Sequence, residues 1–95
     1  MSLGKLQSWY ADQCDGDWEH GAGIKLETLD NPGWSLRVDL EGTPLESKEC
    51  EEITLNYDHD QDWIRCWVED RAFCGVCGAK QLERMISIFF EWVEG

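Results

Sequence analysis

The chain has 95 residues, and twenty Asp and Glu against eight Lys and Arg leave it a net charge of -12. That length makes one domain, residues 1–95, able to bury roughly 60 to 65% of the surface its unfolded form exposes. The charge excludes nucleic acid and membrane as expected partners, because phosphate backbones and anionic lipid both demand clustered positive charge, and it favours a basic protein instead.

From Leu3 to Gln13, Leu6, Trp9, Tyr10 and Gln13 recur at helical spacing with Lys5, Ser8 and Asp12 opposite, which predicts a short amphipathic opening helix. Residues 15 to 23 hold three glycines among acidic and imidazole groups and read as loop. From Ile24 the period becomes two. Ile24, Leu26 and Thr28 alternate with Lys25 and Glu27, Asn31-Pro32-Gly33 supplies a reverse turn, and Trp34, Leu36, Val38 and Leu40 alternate with polar residues on the return. This predicts a hairpin with one buried and one wet face.

Gly42-Thr43-Pro44 ends the hairpin. An acidic stretch over 46 to 52 leads to a strand through Ile53, Leu55 and Tyr57, then a turn over Asp58 to Asp62 and a strand from Trp63 to Glu69. Both faces of that strand carry bulky groups, so it is expected inside the sheet. After Phe73 the sequence reads as a glycine-rich loop, followed by a helix over 79 to 93 with the apolar stripe Leu82, Met85, Ile86, Phe89 and Val93. The fold class is α+β: an antiparallel sheet of four or five strands with an N-terminal and a C-terminal helix packed on one face.

No apolar run approaches the ~20 residues needed to span a bilayer, and Met1 to Gln7 carries no signal-peptide core, so the protein is expected to be cytoplasmic. In a reducing cytosol its five cysteines are expected to be free thiols.

Three motifs invite chemistry. Asp58, Asp60, Asp62 and Glu69 mimic the spacing of an EF-hand calcium loop, but Trp63 stands where the sharp turn needs glycine and the following residues alternate as a strand, so an acidic hairpin turn is the better reading. Cys74-Gly75-Val76-Cys77 is a CxxC placed where a loop meets a helix, which would suit a redox thiol or half of a zinc site completed by Cys14 and His20 or His59. It lacks the βαβ setting of the first and the second pair of the other. Cys14 and His20 also suggest a nucleophile and base, but the glycines between them work against a rigid dyad; a thiol ending the helix and a partly exposed histidine are the simpler roles.

Within Gln13-Cys14-Asp15-Gly16-Asp17-Trp18-Glu19-His20-Gly21, Trp18 allows two readings. It is either a core indole or an aromatic anchor ringed by carboxylates, the composition that grips a basic partner.

Leu6-Gln7-Ser8-Trp9-Tyr10, Cys14-Asp15-Gly16-Asp17-Trp18-Glu19-His20, Gly23-Ile24 and Thr28-Leu29-Asp30-Asn31-Pro32-Gly33-Trp34 together resemble the immunity protein 53 family of bacterial polymorphic toxin systems. The specific part of the resemblance lies in residues 6 to 42; the acidic middle and the C-terminal helix match only in pattern. It implies a small cytosolic protein that neutralises a cognate toxin by binding it; no catalysis is implied, and no cofactor is expected. The Cys74 and Cys77 pair lies outside that pattern.

The expectation is therefore an immunity protein for a cognate toxin domain, with a basic nuclease as the toxin class the charge suggests. Asp15, Asp17, Trp18, Glu19 and His20 are the candidate contact residues, with no catalytic residue and no metal ligand among them. The alternative is a small zinc-binding or thiol redox protein built on Cys74 and Cys77. Oligomeric state is left open.

Overall fold

The computed structural model describes residues 2–56 and 61–95. The first helix, α1 (Ser2–Gln13), is followed by a single helical turn, α2 (Trp18–Gly21), and then by β1 (Ile24–Leu29) and β2 (Gly33–Asp39). These two strands form the expected hairpin, in register from Ile24 opposite Val38 to Leu29 opposite Gly33. The chain continues through β3 (Ile53–Leu55), β4 (Ile64–Glu69), β5 (Ala72–Cys77) and α3 (Leu82–Glu94). All pairings are antiparallel, and the strand order is β1-β2-β5-β4-β3. The architecture is α+β, a five-stranded sheet flanked by an N-terminal and a C-terminal helix.

The stretch expected to be a glycine-rich loop is instead β5, the middle strand of the sheet, with β2 on one side and β4 on the other. Two features concealed it. The β4–β5 hairpin turns on Asp70 and Arg71, both with positive φ (50° and 57°), the backbone of a tight two-residue hairpin whose usual sequence mark is Asn-Gly or Asp-Gly. Gly75 is small because α3 comes close: a Cβ there would lie 2.8 Å from Met85 Sδ and 3.3 Å from Cys66 Sγ.

Alternation along the strands sends Leu36, Val38, Ile64, Cys66, Phe73 and Cys77 into one cluster with Leu6 of α1 and Met85, Ile86 and Phe89 of α3. The two helices thus lie on this face of the sheet. On α3 the buried stripe is Met85, Ile86, Ile88, Phe89 and Phe90, with the expected Leu82 and Val93 half-buried at its margins.

Residues 40 to 52 tie the C-terminal end of α3 down. Lys48 Nζ donates to the main-chain oxygens of Trp92 and Gly95, the latter at 3.0 Å, while Trp92 Nε1 donates to Glu49 O at 2.9 Å. A cation on the last carbonyls complements the negative end of the helix dipole. Tyr57, Asp58, His59 and Asp60 fall outside the described residues, and with them most of the EF-hand-like turn and one proposed zinc ligand.

Candidate functional site

The loop between α1 and β1 is built by reciprocal side-chain fastening. Asp15 Oδ1 accepts the main-chain N–H of Asp17 and of Trp18, each at 2.9 Å. Glu19 reaches back and accepts from Asp15 N at 2.9 Å and from Gly16 N at 2.9 and 3.1 Å. These bonds satisfy N–H groups that a four-residue helix has no carbonyls for. They also hold both carboxyls below the usual carboxylate range: the Trp18 and Asp17 N–H groups act on Asp15, and Glu19's own N–H, with those of Asp15 and Gly16, on Glu19. Gly16 supplies the left-handed φ of 97° that lets the chain turn back.

Trp18 is 8% exposed. Its ring meets Trp9 edge-on with centroids 6.1 Å apart and tilts against Tyr10 at 5.8 Å. Trp9 in turn meets Phe89 edge-on at 5.5 Å, and Phe89 meets Phe73 at 5.0 Å. An aromatic chain therefore runs from the loop through α1 and α3 to the middle strand, so the indole is seated in the loop's interior. Asp15, Asp17 and His20 around it are exposed, and Glu19 is half-buried.

Gly23 closes the loop by donating to Asp39 Oδ2 at 2.9 Å, and Asp39 N donates to Gly23 O at 3.0 Å. That clasp brings the α2 turn against the chain leaving β2. Between them lies a cleft of about 340 Å³ lined by Asp15, Asp17, Trp18, Gly21, Ala22, Glu41 and Gly42. Glu41 and Gly42 are the part of this site that the loop's own sequence does not announce.

The chemistry read from Cys74 and Cys77 has no geometric basis. They lie three positions apart on one strand, so they project from opposite faces of the sheet. Cys77 is in the core, whereas Cys74 faces Arg37, whose guanidinium lies 3.8 Å from its sulfur. Burial pushes the Cys77 thiol up to about 11 and that of Cys66 to about 12, and burial likewise raises Cys74. A redox thiol needs the opposite shift. Cys14, the other expected partner, turns its thiol back to Tyr10 O at 3.3 Å and ends α1. Among the described residues no group of three or more His, Cys, Asp or Glu is arranged to hold a metal ion.

The sheet face away from the helices carries a second group of large side chains. Arg65 lies over the Trp67 ring, 4.6 Å from its centroid, and holds Glu52 through two nitrogens at 3.1 and 3.2 Å. Arg37 and Cys74 sit beside them in register. Sequence alternation gave both faces of this strand bulky groups and no reason to group Arg65 and Trp67 with Arg37, because β5 was missing from the expected sheet.

Fold and site together define a small, strongly acidic α+β domain that presents a carboxylate-bearing loop fastened by its own hydrogen bonds. The chain belongs to the Immunity protein 53 family, whose profile it matches over residues 3–94. No curated protein and no solved structure matches it. Its role is that of an immunity protein, and family membership implies a cognate toxin as partner. No helix among the described residues is long and apolar enough to cross a membrane.

Proposed function

We propose that this protein neutralises its toxin in the bacterial cytosol by binding the toxin domain directly, as a binder and not as a catalyst. The observation that supports this most is the pairing of family membership with a net charge of -12, part of which is held on the α1–β1 loop in a fixed arrangement. Fixed carboxylates lose little conformational freedom on binding, and a field of this sign steers a basic partner into contact. The loop residues Asp15, Asp17, Glu19 and His20 form the contact surface, and Trp18 holds them in place from below. A toxin domain with a positive surface, such as nucleases use to hold phosphate backbones, is the partner that fits.

The test is protection in cells. Expression of the cognate toxin domain should arrest growth, co-expression of this protein should restore it, and the two should co-purify. Restored growth with no physical complex would point to an enzymatic or indirect mechanism and overturn the proposal.

A further inference from the structure

The two edges of the sheet are unequal. β3 closes one with three residues, Ile53–Leu55, whereas β1 gives the other six, Ile24–Leu29, with no described strand beyond it. Lys25, Leu26, Glu27 and Thr28 are all exposed, and Leu26 is one of the few large apolar side chains left in solvent. One bond fixes the hydrogen-bonding phase of this edge. Asp39 N donates to Gly23 O at 3.0 Å, which makes Gly23 and Asp39 a hydrogen-bonded pair continuing the β1–β2 ladder. Such pairs alternate along an antiparallel ladder, so Lys25 and Glu27 direct their main-chain groups at Arg37 and Ser35, while Ile24, Leu26 and Thr28 direct theirs outward. A bare edge of this kind is a template for another strand, and proteins usually blunt it with proline, a bulge or charges that repel a second strand. β1 has neither proline nor bulge, and its two charges are of opposite sign.

The sequence of that edge is complementary to itself. About a twofold axis through Leu26, an antiparallel copy sets Leu26 opposite Leu26, Ile24 opposite Thr28 and Lys25 opposite Glu27. In this register every outward N–H of Ile24, Leu26 and Thr28 meets an outward carbonyl of the other copy. Lys25 and Glu27 then occupy non-hydrogen-bonded positions, where facing side chains come closest. In the single chain Lys25 lies directly across from Arg37, and neither Lys25 nor Glu27 has an ion pair among the described residues. A second copy gives each a partner of opposite charge. We infer that β1 is a homodimer interface, at which two copies join their sheets edge to edge with Lys25 of each against Glu27 of the other. The short β3 edge offers no comparable ladder, so association closes at two. Two copies of charge -12 repel at long range, and physiological salt screens that repulsion beyond about 8 Å while leaving the touching pairs in place.

The test is the mass of the purified chain by light scattering, at about 0.15 M salt and at concentrations from about 1 µM to about 1 mM. The mass should climb from 11.0 kDa towards twice that value. Leu26→Pro removes an outward N–H that the single chain does not use, and should keep the protein monomeric throughout, with a ¹H–¹⁵N spectrum establishing that it is folded. Lys25→Glu and Glu27→Lys each set like charges against each other across the twofold axis. Each should weaken self-association at least about 10-fold, although one makes the chain more acidic and the other less. Mixed together, these two variants regain opposite charges at both pairs and should form a heterodimer.

A chain that stays at 11.0 kDa up to about 1 mM overturns the inference; if Leu26→Pro then weakens binding of the cognate toxin domain, the edge serves a strand of the toxin instead. A dimer that survives Leu26→Pro uses another surface. One that both charge variants leave unchanged, or that their mixture fails to restore, has another register, and each of these results overturns the inference as well. Direct toxin binding stands or falls separately, since self-pairing through β1 does not require it.

Discussion

Glu19 accepts the main-chain N–H of Asp15 at 2.9 Å while the side chain of Asp15 accepts that of Trp18, so each residue holds the other's end of the loop. Both folded-state carboxyls lie below their ordinary values of 3.8 for Asp and 4.5 for Glu. A group whose pKa is lowered by folding contributes its stabilisation above the unfolded value and loses it as pH falls through the folded one. The loop is therefore expected to stay fastened at neutral pH and to loosen only when the pH drops below the ordinary carboxylate range. The main-chain amide resonances of Asp15, Gly16 and Trp18 report this on acid titration; midpoints at or above the ordinary values would contradict it. Glu19→Gln, whose side chain does not titrate, should remove the acid transition that residue 19 gives the Gly16 resonance.

Trp18 connects that loop to the interior. With its ring 8% exposed and packed on Trp9 and Tyr10, Trp18→Ala is expected to cost about 3 kcal/mol of the roughly 5 to 15 that a domain has. Trp18→Phe, which keeps the ring contacts and removes the buried, unpartnered indole N–H, should cost much less. Urea midpoints measure both, and equal losses in the two variants would mean that the edge contact with Trp9 contributes little.

The thiols offer a separate check on β5. With Cys66 and Cys77 fully buried and their pKa values pushed up to about 12 and about 11, neither should react with a disulfide reagent at neutral pH faster than the protein unfolds, whereas exposed Cys14 should react at once. Rapid oxidation of Cys74 and Cys77 to an intramolecular disulfide would contradict their placement on opposite sheet faces.

The β4–β5 turn is expected to tolerate improvement. Asp70 and Arg71 both hold left-handed backbone, which costs an ordinary L-residue roughly 1 to 2 kcal/mol. Arg71 pairs with Glu41 at 3.2 Å, but at side-chain exposures of 62% and 69% that pair contributes little. Replacing Asp70-Arg71 by Asn-Gly should raise stability by about 1 kcal/mol; a lower urea midpoint would show that the ion pair outweighs the backbone term.

That turn also shows where the sequence stops being legible. Ile24, Leu26, Leu36 and Val38 announce the first hairpin because one face is wet and the alternation is clean, and α3 announces itself through Met85, Ile86 and Phe89. Ala72 to Cys77 show no such contrast: β5 lies between two strands, five of its six residues are buried, and Gly75 reads as loop until Met85 is seen to need the space. Likewise α2 is one turn held by Asp15 and Glu19 side chains, too short for any period to register. At the candidate site, the loop residues were visible as a cluster. Their partner wall was not, because only the Gly23–Asp39 clasp brings Glu41 and Gly42 alongside.

The proposed mode of action is binding of a basic toxin domain through the acidic surface. The most direct measurement is the association rate of the two proteins by stopped flow over a series of salt concentrations. Steering by a -12 charge should make association slow steeply as salt rises while dissociation changes far less. An association rate that does not depend on salt would contradict the electrostatic account.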